Sequence, residues 1–536
     1  MSLFRFTRCR NAGVERSRRT APLAGGLRIW LTRAAAHDPF FRLTGARACR
    51  LLWTCFRAGP RSCPFREQPL GSKKFETDAP KGMMYLPSNS MEPLWPGFAY
   101  KPHQISGIKW LLGREDDDVC CGGLLCDEMG LGKTIQMIGL IKMSPAKNTL
   151  ALLPLAVVDQ WISTAQKAGI TCWTVQGLSW HPIGNKINVK KPNLYICNYE
   201  RAIRSPSLMA GHWDRLVCDE AHRLAKKSGT SWKLVSALDV KAQWFLTGTP
   251  IVNGVGDLKA LFALLKADID YEKYILCRTM DDLRSSIPDA PKKPFHIKHI
   301  LDFDTEEEAE FYRGIQGLAV RRWKEQEGDR GSQFVLFQTI MRLRQLSLHP
   351  QVYIEGRKRA YGTYKRADWI DGSTKFRAIR DLIEEEKGGA KRWILFCHFH
   401  DEMELLKEYL GGSEKIGLIQ CYSGKCSHAE RSEILKKTHV EGEKHQVLLI
   451  QLQSGGVGLN LQHFERIIFS GPWWTSALME QAVGRAVRIG QTKRVVVHHL
   501  LLKEEQGLNI DKMMNEKAKE KGDLCRNVLS AADHRV

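Results

Sequence analysis

DEMGLGKT, at residues 127–134, is the stretch that decides the fold of this 536-residue chain. Gly130 and Gly132 let the backbone curl so that successive N–H groups face phosphate oxygens, and a helix starting behind them adds the positive end of its dipole. In such a loop Lys133 reaches the β- and γ-phosphates, and Thr134 is a ligand of Mg²⁺. The strict pattern begins with Gly, where this chain has Asp127. The loop predicts these nucleotide-binding residues: Asp127, Glu128, Met129, Gly130, Leu131, Gly132, Lys133 and Thr134.

An acidic motif, DEAH (219–222), directly follows the strand-like apolar run 216–218. We expect Asp219 to hold Mg²⁺, mostly through water, and Glu220 to orient or deprotonate the attacking water. Two carboxylates at a strand end are also compatible with a plain surface turn. Together with the loop above, the motif predicts catalytic roles for Lys133, Asp219 and Glu220, with Thr134 and Asp219 as metal ligands.

Two further segments fit the same nucleotide site. Gln104 lies in KPHQ (101–104), ahead of an amphipathic helical pattern, and its amide can bond both N6 and N7 of adenine. TGTP (247–250) follows a strand-like run, and Thr247, Gly248 and Thr249 are expected to relay the ATP state to the bound strand. A simple Gly–Pro turn is the alternative interpretation of TGTP.

QAVGRAVR (481–488) supplies arginines far from the first two motifs. Gln481, Arg485 and Arg488 recur at i, i+4 and i+7, which predicts that they share one helix face. Arginines there can reach across a cleft and stabilise charge on the γ-phosphate, so that hydrolysis depends on closure of two lobes. An exposed basic helix is the alternative.

A glycine-rich loop, SGGVGLN (454–460), follows another strand-like run. Its small residues suit a close approach to a phosphodiester backbone, which makes Ser454, Gly456 and Asn460 the predicted nucleic-acid contacts. The aromatic run 472–474, PWW, is equally compatible with base stacking and with packing between lobes.

Strand-like runs alternate with amphipathic helical stretches from about residue 95, which predicts parallel sheets with crossover helices. The predicted strands of the first lobe are 123–126, 149–153, 194–198, 215–218 and 243–246. Those of the second are 393–398, 418–422, 446–451, 466–469 and 495–501. The fold class is therefore α/β, with two doubly wound parallel-sheet lobes and a helical insertion between them, and with ligands at the carboxyl ends of strands.

The predicted domains are an Arg-rich extension (1–82), an ATP-binding lobe (83–270), a helical region (271–370), a second lobe (371–505) and a helical tail (506–536). Within the helical region, Thr305 and Glu308 form a capping-box pattern. One apolar face is then marked by Phe311, Tyr312, Ile315, Leu318 and Ala319, and a second helix is expected over 333–347. The arginines Arg321, Arg322, Arg342 and Arg344 are expected to be exposed, where they contact nucleic acid or only solvent.

The net charge of +21 is concentrated at the amino terminus, where residues 1–82 hold 17 Lys and Arg against 5 Asp and Glu. A transit peptide, a disordered basic arm and an extension without a fold are all compatible with that segment. No run approaches the 18 or so apolar residues of a membrane span, so no membrane is expected as a partner. None of the 15 cysteines forms a CxxC pair, so we expect reduced core thiols and no structural zinc.

In this order the motifs resemble the Swi/Snf-type family of superfamily 2 DNA translocases. The segments that carry the resemblance are KPHQISGIKWLL, GGLLCDEMGLGKTIQ, PLAVVDQW, CDEAHRL, FLTGTPIVN, RLRQLSLHP, LQSGGVGLNL and GPWWTSALMEQAVGRAVRIGQ. The resemblance implies two RecA-like lobes, ATP and Mg²⁺ as cofactors, duplex DNA as the track, and DNA-bound proteins as remodelling targets. The RIGQ ending (488–491) and the PWW run are similar to the Rad-type repair and transcription-termination branch.

Two departures from the family pattern stand out. The branch often carries a RING finger between the lobes, and this chain has none; where the family has Asp-Arg-x-His-Arg, this chain has Gly484-Arg485-Ala486-Val487-Arg488. Both arginines are kept, so hydrolysis is expected. An RNA-directed DEAH helicase and an idle DNA-binding scaffold are the rival functions. A nuclear protein is expected, with an organellar or viral origin left open.

Overall fold

The computed structural model describes residues 91–533, except 118–119, 185–191, 267–270, 326–331, 456–458 and 504–508. The predicted Arg-rich extension, residues 1–82, lies outside the described residues. Within the described part of the chain, no helix combines the length and the apolar character needed to cross a membrane.

An eight-stranded sheet forms the first lobe. Its strands are β1 (Gly122–Leu125), β2 (Asn148–Leu153), β3 (Thr171–Gln176), β4 (Ser179–Pro182), β5 (Asn193–Asn198), β6 (His212–Asp219), β7 (Asp239–Leu246) and β8 (Ile275–Leu276). They lie in the order β4-β3-β5-β2-β6-β7-β1-β8, and only the pair of β3 and β4 is antiparallel. The five predicted strands of this lobe are confirmed, with shifted ends, as β1, β2, β5, β6 and β7.

Helices cover both faces of this sheet. They are α1 (Pro102–Glu115), α2 (Lys133–Met143), α3 (Val158–Lys167), α4 (Tyr199–Arg204), α5 (Thr230–Ser236), α6 (Val255–Leu265) and α7 (Tyr271–Tyr274). Successive residues of β2 point into different cores: Leu150 and Leu152 pack in one cluster, Ala151 and Leu153 in the other. Because both faces are covered, β2 is almost continuously apolar, which is why the sequence predicted it. By contrast β3 and β4, with many half-exposed residues, were missed.

A six-stranded parallel sheet forms the second lobe. Its strands are β9 (Phe295–Leu301), β10 (Arg392–Cys397), β11 (Ile416–Tyr422), β12 (His445–Gln451), β13 (Arg466–Phe469) and β14 (Val496–Leu502), in the order β11-β12-β10-β13-β14-β9. All five predicted strands are confirmed. The lobe's helices are α12 (Thr374–Glu384), α13 (His400–Gly411), α14 (His428–Thr438), α15 (Leu452–Gly455) and α16 (Ser476–Val483).

The region 271–370 is not wholly helical, and the prediction is corrected there. Strand β8 belongs to the first sheet and β9 to the second, so each lobe extends into the segment assigned to an insertion. Strand β9 was missed because it is an edge strand whose side chains are largely exposed, so histidines and a lysine interrupt its apolar residues. Between β8 and β9 lies the short helix α8 (Met280–Leu283).

Three helices follow β9: α9 (Glu306–Glu325), α10 (Ser332–Leu348) and α11 (Pro350–Ala360). The first two were predicted. The predicted apolar face of α9 is wrong at Leu318, which is 45% exposed, whereas Gln316 is buried. Arg344 was expected to be exposed but is buried, because its guanidinium packs over the ring of Trp473 at 4.7 Å. Arg321 is exposed, Arg342 half-buried, and the side chain of Arg322 lies outside the described residues.

The carboxyl-terminal helix α17 (Ile510–Asp533) is part of the core structure. Its first turn carries Asp511, whose carboxylate accepts a 2.6 Å hydrogen bond from the ammonium group of Lys375 at the start of α12. Both side chains are almost fully buried, and the backbone N–H of Leu502 donates to the same carboxylate. This buried ion pair fixes α17 to the second lobe.

Candidate nucleotide site at the lobe interface

The backbone of the loop 127–134 has the conformation predicted from its glycines. Gly130 and Gly132 take φ values of 93° and 80°, where a side chain would be strained, and helix α2 begins directly at Lys133. The ammonium group of Lys133 donates to the carbonyl of Asp127 at 2.7 Å, which holds it over the loop. A loop of this shape with a helix amino terminus and a lysine suits a phosphate chain.

Asp127 does not point into the loop. Its fully buried carboxylate receives two hydrogen bonds from Arg278, at 2.9 and 2.6 Å, and one from the amide of Gln136 at 2.9 Å. Arg278 also donates to the carbonyl of His103 and to the hydroxyl of Ser106, so all parts of its guanidinium are used. Asp127 stands where a glycine is expected, and its ion pair with Arg278 connects the loop to the segment after β8.

The two carboxylates of DEAH lie at the carboxyl end of β6 in different environments. The side chain of Asp219 accepts hydrogen bonds from the indole of Trp161 at 3.0 Å and from the backbone N–H of Glu220 at 2.9 Å. Burial and the charge of Glu220 raise the pKa of Asp219 to about 6. Burial alone would also raise the pKa of Glu220, but His222, Arg485 and Lys133 outweigh it and lower that pKa to about 2.

Glu220 is held in a strained backbone conformation. Its φ of 50° lies in the left-handed region, which costs a residue with a side chain on the order of 1 kcal/mol. The nearest partner of its carboxylate is His222 Nδ1, at 3.3 Å, and the hydroxyl of Thr247 lies 3.5 Å from the same nitrogen. Such strain is typical of residues that a site positions for chemistry.

The second lobe reaches this site, but not in the predicted way. Helix α16 ends at Val483, and Arg485 and Arg488 lie in the turns beyond it, so these residues do not share one helix face with Gln481. Gly484 ends the helix. Even so, the amide of Gln481 donates to the hydroxyl of Thr249 at 3.0 Å, and Arg485 lies 3.9 Å from the carboxylate of Glu220.

Arg488 approaches the loop itself. A Cβ atom added at Gly130 would lie 3.6 Å from the Cγ atom of Arg488. Burial, and then the charge of Arg485, lower the pKa of Arg488 to about 9, so it remains a cation at neutral pH. Lys133, Arg485 and Arg488 therefore face two carboxylates with a surplus of positive charge, which suits the phosphates of a nucleotide.

Comparisons with known proteins agree with this geometry. The family model of the SNF2-related domain matches residues 103–272, and that of the helicase conserved C-terminal domain matches residues 374–490. The two matches cover more than half of the chain. The chain belongs to the SNF2-related family. It is a helicase-like ATPase, and the predicted family and ATP hydrolase activity are confirmed.

Relatives of this SNF2-family ATPase include viral and eukaryotic proteins. It is 26% identical over 448 residues to a probable global transactivator of Orgyia pseudotsugata multicapsid polyhedrosis virus, which covers 76% of this chain and 87% of that protein. It is 26% identical over 457 residues to ATP-dependent helicase brm of Drosophila melanogaster, with 75% of this chain and 28% of that protein covered. For the ISWI chromatin-remodeling complex ATPase ISW1 of Saccharomyces cerevisiae the identity is 23%, with coverages of 75% and 38%. The chain thus spans well under half the length of these two eukaryotic relatives.

Among solved structures, the Sulfolobus solfataricus SWI2/SNF2 ATPase core in complex with dsDNA is matched at 23% identity and a TM-score of 0.34. The match covers 81% of this chain and 94% of that chain. The resemblance to the Rad-type branch stays a prediction.

Gln104 of the ATPase, in the first turn of α1, contacts the phosphate loop 127–134. Its amide oxygen accepts from the backbone N–H of Lys101 at 3.0 Å, and its amide nitrogen lies 3.5 Å from the carbonyl of Leu131. A Cβ atom at Gly132 would lie only 2.6 Å from that nitrogen. Gln104 therefore couples the start of α1 to the loop, and its contact with adenine stays a prediction.

The glycine-rich loop of the second lobe is only partly described. Ser454 lies in the short helix α15 without a described side chain, Gly456 lies outside the described residues, and the exposed Asn460 accepts a weak 3.4 Å hydrogen bond from Gln462. The structure therefore does not test their predicted nucleic-acid contacts. Trp473 is buried and stacks on His398 with ring centroids 5.3 Å apart, so this member of the aromatic run packs inside the lobe.

Sequence reasoning missed two residues that shape the site. Arg278, which holds Asp127, follows β8, a strand too short to recognise from two apolar residues. Trp161, which holds Asp219, lies in α3 within the segment PLAVVDQW. Although that segment contributes to the family resemblance, nothing in it indicates a contact with a carboxylate nearly 60 residues downstream.

Proposed function

We propose that this SNF2-family protein hydrolyses ATP with Mg²⁺ at the interface of its two lobes, is stimulated by duplex DNA, and translocates along the duplex to remodel bound proteins. The observation that carries the proposal is the pairing of Glu220 from the first lobe with Arg485 from the second, at 3.9 Å. Groups on separate lobes complete the site only when the lobes are together, which couples hydrolysis to lobe movement.

Each charged residue has a role that follows from its position. Lys133 and the amino terminus of α2 bind the phosphates, and Arg485 and Arg488 offset the charge that develops on the γ-phosphate. Glu220, which is ionised because the facing cations lower its pKa to about 2, would orient or deprotonate the attacking water.

Thr134 and Asp219 would hold Mg²⁺, and the residues present fit that ion. Thr134 lies in the first turn of α2, and Asp219 ends β6 with a carboxylate that burial disfavours as a free anion. The ion, when bound, would neutralise part of the charge on the phosphates. A divalent cation would restore Asp219 to its ionised form.

Thr247, Gly248 and Thr249 would relay the nucleotide state between the lobes. Thr249 accepts from Gln481, its own N–H donates to the hydroxyl of Thr247 at 3.1 Å, and Thr247 faces His222. Through this chain a shift at DEAH can reach the second lobe, whose loop residues Ser454, Gly456 and Asn460 are proposed to contact the DNA backbone.

Duplex DNA is proposed as the track because the relatives of this chain include ATP-dependent helicase brm and the chromatin-remodeling complex ATPase ISW1. On the basis of the same relatives, we propose that the protein acts in the nucleus. The viral transactivator leaves a viral source as the alternative. Repair, transcription or chromatin would then be the setting in which DNA-bound proteins are displaced.

The proposal is tested by measuring ATP turnover of the full chain alone and with duplex DNA, single-stranded DNA or structured RNA. We expect the strongest stimulation by duplex DNA, and its loss in Glu220→Gln. Lys133→Ala should likewise abolish turnover while leaving most of the DNA affinity. Turnover stimulated best by RNA would support the helicase alternative, and absence of turnover with every polymer would support the scaffold alternative.

A further inference from the structure

A basic and aromatic surface lies outside the nucleotide site, on the turn of α10 into α11 and the loop behind it. It is formed by Arg342, Arg357, Tyr361, Tyr364, Lys365 and Arg366, and we call it the 342–366 surface. The guanidinium of Arg357 lies over the rings of Tyr361 and Tyr364, at 4.5 and 5.2 Å from their centroids. Arg366 lies 3.7 Å over the ring of Phe311.

The positive charge of this surface is not neutralised. Within the described part of the chain, no carboxylate lies within ion-pair distance of Arg342, Arg357, Lys365 or Arg366, and Nε of Arg357 is buried without a hydrogen-bond acceptor. Burial, and then the charge of Arg357, lower the pKa of Arg342. Concentrated, uncompensated cations attract a polyanion.

The packing beneath the cations is close. Arg342 extends from α10 across the buried Gly356 of α11, where a Cβ atom would lie 2.5 Å from its guanidinium. The rings under Arg357 and Arg366 fix the directions in which those side chains leave the surface. Glycine at 356 and the aromatic rings therefore hold the cations at defined positions, as a phosphate backbone of fixed spacing requires.

The location of the surface indicates the ligand. Arg359 pairs at 2.6 Å with Asp401, in the first turn of α13, which directly follows the carboxyl end of β10. The carboxyl ends of parallel strands lie at one edge of a sheet, so α15 (Leu452–Gly455), which directly follows β12, lies at that edge too. The 342–366 surface therefore lies at the same edge of the sheet as α15, which carries Ser454.

We infer that the 342–366 surface is a second contact for the phosphate backbone of duplex DNA, extending the track beyond the loop 452–460. The inference rests on the proposed function, since it takes duplex DNA as the ligand. The surface would contact phosphates through Arg357, Lys365 and Arg366, and contacts of this kind carry no sequence information.

The test is the salt dependence of binding between the full chain and a fluorescent 30-base-pair duplex, measured by anisotropy. Relative to the wild type, Arg357→Gln/Lys365→Gln/Arg366→Gln should weaken binding about tenfold or more near physiological salt. It should also reduce the slope of log affinity against log salt by about 2–3, roughly one for each phosphate contact. The ATPase rate without DNA should not change.

Two further variants make the result specific. Lys391→Gln/Lys415→Gln/Lys444→Gln removes the same charge from exposed positions at the opposite, amino-terminal edge of the same sheet and should leave the slope nearly unchanged. Arg357→Lys/Arg366→Lys keeps the charge and should keep the slope, which separates charge from local packing. If the triple variant of the surface behaves like the control triple variant, the inference is wrong. If the wild type shows no preference for duplex DNA, the proposed function itself fails.

Discussion

At the scale of single residues, the site works through pairs whose members differ in environment. Asp219 and Glu220 are neighbours, yet burial and the charge of Glu220 raise the pKa of Asp219 to about 6. The cations that face Glu220 lower its pKa to about 2. Glu220 is therefore ionised at every working pH, and Asp219 is the group that titrates near neutrality.

This assignment predicts an acidic limit to activity. Below about pH 6 Asp219 is protonated and cannot bind Mg²⁺, so kcat/KM for ATP hydrolysis should fall as the pH drops from 7.5 to 5.5. Trp161→Phe removes a hydrogen bond that favours the ionised form, so it should move the limit to higher pH. Higher Mg²⁺ should move it to lower pH, because the ion competes with the proton. A flat profile over this range would remove Asp219 from the role of metal ligand.

Arg278 should be essential for the shape of the phosphate loop. Arg278→Gln leaves the fully buried Asp127 without its cation, which should lower the free energy of unfolding by about 3–5 kcal/mol and raise the KM for ATP. Asp127→Asn in addition should recover much of the loss, since no charge is then left unpaired. The measurement is a double-mutant cycle in urea, with ATP kinetics on the same four proteins. Additive losses would show that the two residues do not act as a pair.

At the scale of elements, the central strands could be predicted and the edges could not. β2, β10 and β12 have apolar centres because both of their faces are covered, so composition reveals them. β9 lies at an edge of its sheet, where His296, Lys298 and His299 interrupt its apolar residues. Its composition therefore does not reveal a strand. The helical spacing of Gln481, Arg485 and Arg488 wrongly predicted a shared helix face, because α16 ends at Val483, before the two arginines. The site still assembles, because the turns after the helix carry both arginines to the first lobe.

Helix α17 links the lobes, which the sequence presented only as a tail. It packs on α10, on α16 and β14 of the second lobe, and on α7 and β8 of the first lobe. Its buried residues Asp511, Met514 and Ala518 recur with the period of one helix face. Movement of one lobe relative to the other must therefore involve α17.

The buried pair of Lys375 and Asp511 should dominate the anchoring of α17. Asp511→Asn leaves a buried cation without its partner and should lower the free energy of unfolding by about 3 kcal/mol or more. Glu520→Gln, which breaks an exposed pair with Lys517 on the same helix, should change it by about 0.5 kcal/mol or less. Urea unfolding of both variants checks this, and equal effects would contradict the anchoring role.

At the scale of the whole molecule, the first lobe supplies the phosphate loop and the carboxylates, and the second supplies Gln481, Arg485 and Arg488. The motifs fixed these assignments from the sequence, because each motif is local. The contacts between them join residues more than 200 positions apart, and no local pattern reveals distances of that kind. We propose that hydrolysis requires both lobes.

The most direct test of that claim is ATP turnover at saturating duplex DNA for Arg488→Gln beside Arg494→Gln. Both variants remove one arginine from the same lobe, but Arg488 is half-buried beside the phosphate loop and Arg494 is exposed. We predict that Arg488→Gln lowers kcat about 100-fold or more while ATP binding changes only a few-fold, and that Arg494→Gln hydrolyses ATP like the wild type. Wild-type turnover in Arg488→Gln would contradict an ATP site completed by the second lobe.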